Sequence, residues 1–159
     1  MAQLSLHSPV GDLTVTEEEG KIISLDWGWV PSEWQRTTPL LERAVDQLNR
    51  YFDGEIGDFD LPLDPPGTEF QKKVWAEMLK IPAGKTKSYG DIAKILGSAA
   101  QPVGTACGAN PIPIIIPCHR ILAAGGKMGG YSGDGGLDTK IALLLLENAL
   151  PNEQQSLDI

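Results

Sequence analysis

Apolar and polar residues alternate through Leu4-Ser5-Leu6-His7 and Leu13-Thr14-Val15-Thr16, the period of strands with one buried face. Pro9-Val10-Gly11-Asp12 between them predicts a turn, and Lys21-Ile22-Ile23-Ser24-Leu25-Asp26-Trp27 supplies a third strand. The period then changes. Leu41, Val45, Leu48 and Phe52 fall on one face of a helix predicted over about Leu40–Phe52, with Gly54 as its stop. Three antiparallel strands and a helix make a small α/β lobe. Leu61-Pro62-Leu63-Asp64-Pro65-Pro66-Gly67-Thr68 continues neither a helix nor a central strand, so it predicts a linker.

Beyond the linker the pattern is helical. Thr68 is a predicted N-cap with Gln71 in the capping-box position, and Phe70, Val74, Met78 and Leu79 form the apolar stripe that Pro82-Ala83-Gly84 ends. A second short helix over about Ser88–Leu96 is closed by Gly97, and a third runs from about Ala99 to Gly108. Helix, glycine turn, helix is the layout of a helix-turn-helix. The apolar run Ile114-Ile115-Ile116 follows, then a Gly-rich segment and a last helix near Thr139–Ala149. The expected division is residues 1–64, residues 68–150 and a tail at 151–159. The fold class is α/β, with an N-terminal three-stranded antiparallel sheet and helix, then a mainly helical, winged-helix-like second part.

Composition changes this picture in two ways. With 42% hydrophobic and 21% charged residues the 159-residue chain is globular, and no apolar run is long enough for a membrane span. The net charge of −8 argues against a nucleic-acid partner until it is mapped along the chain. Residues 1–67 hold 4 Lys/Arg against 13 Asp/Glu, whereas residues 68–150 hold 9 against 6 and the tail adds two acids. The second part alone is cationic. Cys107 and Cys118 are the only cysteines, so no disulfide framework is possible. With no basic patch and apolar stretch at Met1-Ala2-Gln3-Leu4, a reducing cytoplasm is the expected location. Two Cys and two His (His7, His119) are too scattered for a structural zinc, so no metal is expected.

The candidate chemistry sits where the isoleucine run ends, at Pro117-Cys118-His119-Arg120. A neighbouring imidazole or guanidinium lowers a thiol pKa and apolar burial raises it, so these residues alone are consistent with a nucleophile or with a structural cysteine. The whole block Asn110-Pro111-Ile112-Pro113-Ile114-Ile115-Ile116-Pro117-Cys118-His119-Arg120 resembles the active-site signature of the O6-alkylguanine-DNA alkyltransferases. The resemblance extends through Phe70–Trp75, Gly84–Tyr89, Tyr131–Leu137 and Leu144–Glu147, and covers about residues 68–150 densely.

The resemblance implies single-turnover repair, in which an alkyl group passes from O6 of a flipped guanine to Cys118. His119 would take the thiol proton through a water, with Glu147 orienting His119 and Asn110 bracing the turn that presents the cysteine. Tyr89 would help displace the nucleotide and donate to the leaving purine, while Tyr131 and Ser132 would line the base pocket, with no cofactor required. The partner would be double-stranded DNA bound through its minor groove with little sequence preference, by a protein acting as a monomer away from membranes. Ala99, Ala100, Gln101 and Gly104, with Arg120, would meet DNA, and Lys72, Lys73, Lys85, Lys87 and Lys94 would lie near phosphates. Gln101 departs from the family pattern, which places an arginine there to fill the gap left by the flipped base. Three other readings compete: a lesion sensor that binds without transfer, a helix-turn-helix regulator, and a thiol hydrolase. Cys118 counts against the sensor, and the small residues of the third helix count against the regulator.

Overall fold

The computed structural model describes residues 1–150; the acidic tail expected at 151–159 lies outside the described residues. β1 (Ala2–Leu6), β2 (Leu13–Glu18) and β3 (Lys21–Trp27) form the expected antiparallel sheet in that order, although the polar positions Ser5, Thr14 and Thr16 are buried too, so the sheet is covered on more than one face. Leu13, Val15, Ile22 and Leu25 are buried on the face covered by α1 (Pro39–Phe52). Thr38 caps α1, its hydroxyl accepting from the Leu41 amide. The buried face of α1 is Leu41, Ala44, Leu48 and Tyr51, rotated slightly from the expected stripe. Tyr51 occupies the place expected of Phe52, because its ring is buried while its hydroxyl finds a carboxylate across the lobe boundary.

The proline-rich connection runs along β3 and does not hang free. Ile22 donates to Pro62 O at 2.9 Å and accepts from Asp64 N at 2.8 Å, and Leu25 N donates to Pro111 O at 2.9 Å. The otherwise open edge of β3 is thereby covered by the connection and by the second part of the chain.

α2 (Glu69–Met78), α3 (Tyr89–Leu96) and α4 (Ala100–Gly108) pack together, and α5 (Leu137–Leu146) closes the fold. Capping boxes start two of them, Thr68 with Gln71 on α2 and Ser88 with Asp91 on α3. Gly97 at φ 64° ends α3 in the left-handed conformation that glycine adopts at least cost. Trp75 fixes α2 on α4, its indole donating to Ala106 O at 2.9 Å. β4 (Lys87–Ser88) and β5 (Ile121–Leu122) make a short parallel pair too brief to leave a sequence period. One apolar cluster runs through both halves, from Leu13 and Leu48 to Val74, Val103, Ile114 and Leu143. Among the described residues no helix is long and apolar enough to cross a membrane.

Candidate active site

The isoleucine run is folded back on itself by one side chain. Asn110 is buried between the ends of the loop, donating through Nδ2 to Ile116 O and accepting at Oδ1 from Ile112 N, each at 2.9 Å. Ile112, Ile114 and Ile116 all point into the core. Ile114 sits at φ 73°, a left-handed conformation costly for a β-branched residue and held here by the surrounding packing. This loop delivers Cys118 to the first position of a one-turn 3-10 helix, Cys118–Arg120.

Cys118 lines a cavity of about 310 Å³ with Tyr89, Gly104, Cys107, Gly108, Gly130, Tyr131 and Ser132. That is near the lower end of the volumes that take small molecules. Burial pushes the thiol pKa up; a hydrogen bond from Asn110, the charge of Lys140 and backbone amides at 118 and 119 oppose it. The resting group is therefore a protonated thiol that needs a base.

His119 is fully buried, and its Nε2 lies 2.7 Å from Glu147 Oε2. Burial raises the Glu147 pKa, but hydrogen bonds from His119 and Arg120 outweigh it and hold the carboxyl at about 2. An ionised carboxylate only accepts, so Nε2 carries the hydrogen. Burial lowers the His119 pKa, the ring is neutral, and Nδ1 is its base; that atom is buried with no hydrogen-bond partner among the described residues. Tyr131 Oη is buried and unpartnered in the same way. Tyr89 opens α3 and is half-buried between α4 and the glycine loop, where a Cβ on Gly129 would stand 3.2 Å from its ring. Burial raises the phenol pKa, so Tyr89 stays a donor.

The structure brings Cys118, Tyr89, Tyr131, Ser132 and Gly104 to one cavity, sets His119 against Glu147, and puts Asn110 behind the loop. Ala99, Ala100 and Gln101 lie exposed at the start of α4, whose buried residues are Val103, Ala106 and Cys107. Lys72, Lys73, Lys85 and Lys94 are exposed and Lys87 half-buried. Arg120 is a correction. It is 3% exposed, its Nε donating to Glu147 Oε1 at 2.8 Å, Nη1 to Asp58 Oδ1 at 2.8 Å and Nη2 to Gly57 O at 2.9 Å. A guanidinium spent on two carboxylates inside the lobe boundary has no donor face for a phosphate.

Two residues escaped the sequence reading. Lys140 is fully buried, its Nζ gathering the carbonyls of Ile121 (2.7 Å), Met128 (2.5 Å) and Gly130 (3.0 Å), and burial lowers its pKa to about 8. It ties the glycine loop to the 3-10 turn and sets a cation near the thiol. The available signal was spacing: Lys140, Leu143, Leu144 and Glu147 recur at i, i+3, i+4 and i+7, one buried helical face charged at both ends. The other is Tyr51, whose hydroxyl donates to Glu147 Oε2. Among the described residues no group of His, Cys, Asp and Glu is arranged to hold a metal ion.

Two family models match the chain. The 6-O-methylguanine DNA methyltransferase ribonuclease-like domain matches residues 3–65, and the 6-O-methylguanine DNA methyltransferase DNA binding domain matches residues 69–149. The methylated-DNA–protein-cysteine methyltransferase of Mycobacterium tuberculosis (strain H37Rv) is 45% identical over 153 residues, covering 91% of each chain. That of Methanosarcina acetivorans is 44% identical over 151 residues, 90% of this chain and 96% of its own. The crystal structure of Mycobacterium tuberculosis OGT in complex with DNA superposes with a TM-score of 0.83 at 42% identity, covering both chains completely.

Proposed function

Since the chain belongs to the 6-O-methylguanine DNA methyltransferase family, we propose that it repairs DNA by moving an alkyl group from O6 of guanine to its own Cys118. The carrying observation is a buried protonated thiol lining a half-open cavity, next in the chain to a buried imidazole whose unpartnered nitrogen is its base. His119 Nδ1 takes the thiol proton through a water, while Glu147 stabilises the imidazolium that forms. The thiolate attacks the alkyl carbon; the S–C bond forms as the C–O6 bond breaks, and the electron pair passes to the purine. Tyr89 donates to that developing anion, and Tyr131 and Ser132 hold the base. The thioether is not cleaved, so each molecule acts once.

Guanine O6 lies within the stack, so the nucleotide must be extruded to reach Cys118. The start of α4 exposes its N-cap Ala99 with Ala100 and Gln101 and leaves Gly104 half-buried, groups without a long charged side chain that suit the minor groove, with lysines for phosphates. Residues 68–150 act as the DNA-binding and acceptor unit on the support of residues 1–64. Two free, buried cysteines suit a reducing cytoplasm, where the protein acts as a monomer.

Digestion of a duplex carrying one O6-methylguanine after incubation with the protein tests this. The lesion disappears in proportion to protein added and stops at one equivalent, while Cys118→Ser binds the duplex and leaves the lesion intact. Loss of lesion beyond one equivalent, or loss with Cys118→Ser, overturns the assignment. Binding by the unaltered chain without loss would favour the lesion sensor.

A further inference from the structure

The N-terminal lobe reaches into the proton relay. Glu147 belongs to the second part of the chain, yet Oε2 accepts from Tyr51 on α1, from His119 Nε2 at 2.7 Å and from Arg120 Nη2 at 3.1 Å. Oε1 accepts from Arg120 Nε, at 2.8 Å. Tyr51 is 1% exposed, and its ring is fixed against Phe52 and Phe59 with centroids 5.2 Å away in each case. Its hydroxyl is aimed across the lobe boundary at one oxygen, the same oxygen that holds the imidazole.

Three donors share that one carboxylate oxygen, and among them Tyr51 and His119 compete for its electron density. Electron density drawn toward the phenol is withdrawn from the imidazole, so Glu147 stabilises an imidazolium less than it would alone. We propose that Tyr51 is a positioning residue of the relay, setting through Glu147 how readily His119 accepts the proton of Cys118. The inference rests on the assignment of His119 as the base. The other charged or titratable groups facing this cluster are Arg120 beside it, Asp58 from the segment after α1, Lys140 from α5, Tyr131 from the glycine loop and Cys118 itself. Among the described residues, it is Tyr51 that bonds Glu147 to α1. Burial, then the Glu147 charge, pushes its phenol far above the usual range, so it remains a donor wherever the protein is folded.

The chain has only two histidines, so carbon-13 labelling of histidine gives two assignable signals. His7, exposed and bonded to Asp12, is the internal reference for His119. Between pH 5 and 9, Tyr51→Phe moves the His119 midpoint upward by about one unit, or brings it into range from below, while His7 is unchanged. Replacement of Tyr51 by 3-fluorotyrosine, similar in shape and a stronger donor, moves it downward and guards against a Phe variant that folds poorly. His119 curves that coincide across the parent and both variants, flat ones included, overturn the inference. Alkyl transfer from a methylated duplex is measured on the same samples. A parent that titrates as described but transfers nothing contradicts the proposed function and leaves the Tyr51 coupling standing.

Discussion

At the scale of single residues, the site joins groups that the sequence displays with groups that it hides. Cys118, His119 and Asn110 are legible because they stand in one contiguous block. The fate of Arg120 was not, since adjacency to a cysteine says nothing of which way a guanidinium turns. Burial against Glu147 and Asp58 decides it. Gln101 is the residue whose consequence is easiest to measure. It is exposed at the start of α4, and as a neutral amide it offers an orphaned base or a phosphate weaker bonds than a guanidinium would. Gln101→Arg is expected to tighten binding to alkylated duplex by about 1 kcal/mol, roughly fivefold, and to speed lesion loss. Titration of a fluorescent lesion duplex at fixed salt checks this, and equal or weaker binding by the variant contradicts it.

At the scale of elements, α2 and α3 were readable from caps and spacing because their signals are local, whereas α5 lacks a side-chain cap and spans Leu137–Leu146 rather than the expected 139–149. The sheet was readable from its period. What sequence could not give is the way segments without a period are pinned, the connection along β3 and the loop 110–116. That loop depends on Asn110, whose amide serves Ile112 and Ile116 while the φ of Ile114 is held at 73°. Asn110→Ala leaves a buried N–H and a buried C=O unpaired and is expected to cost about 2–4 kcal/mol of stability. Transfer should also fall, because the turn that presents Cys118 loosens. Denaturant unfolding with a single-turnover assay reads both. A variant of unchanged stability would mean that packing of the isoleucines alone holds the loop.

At the scale of the whole molecule, the acidic first lobe and the cationic second part are welded by a buried cluster, Tyr51, Arg120, His119 and Glu147, with the exposed Asp58 pairing Arg120 at its edge. Its pH dependence has one sign. Glu147 is held at about 2 when folded, so its contribution of roughly 3 kcal/mol is present above the ordinary carboxyl pKa and is lost as pH falls toward 2. His119 has a lowered pKa when folded, so below about pH 6.5 the unfolded chain takes up the proton more readily and stability falls again. Thermal unfolding should therefore be level near neutrality and decline steadily with acid, and Glu147→Gln should flatten the lower part of that decline. An unchanged slope in the variant would mean that other carboxylates govern acid unfolding. The central claim, however, is covalent. Intact-protein mass after incubation with a duplex carrying one O6-methylguanine, followed by peptide mapping, tests it most directly. The account predicts a gain of one methylene on the peptide containing Cys118 and none in Cys118→Ser. A gain at Cys107 or elsewhere, or no gain from a duplex that the protein binds, would contradict it.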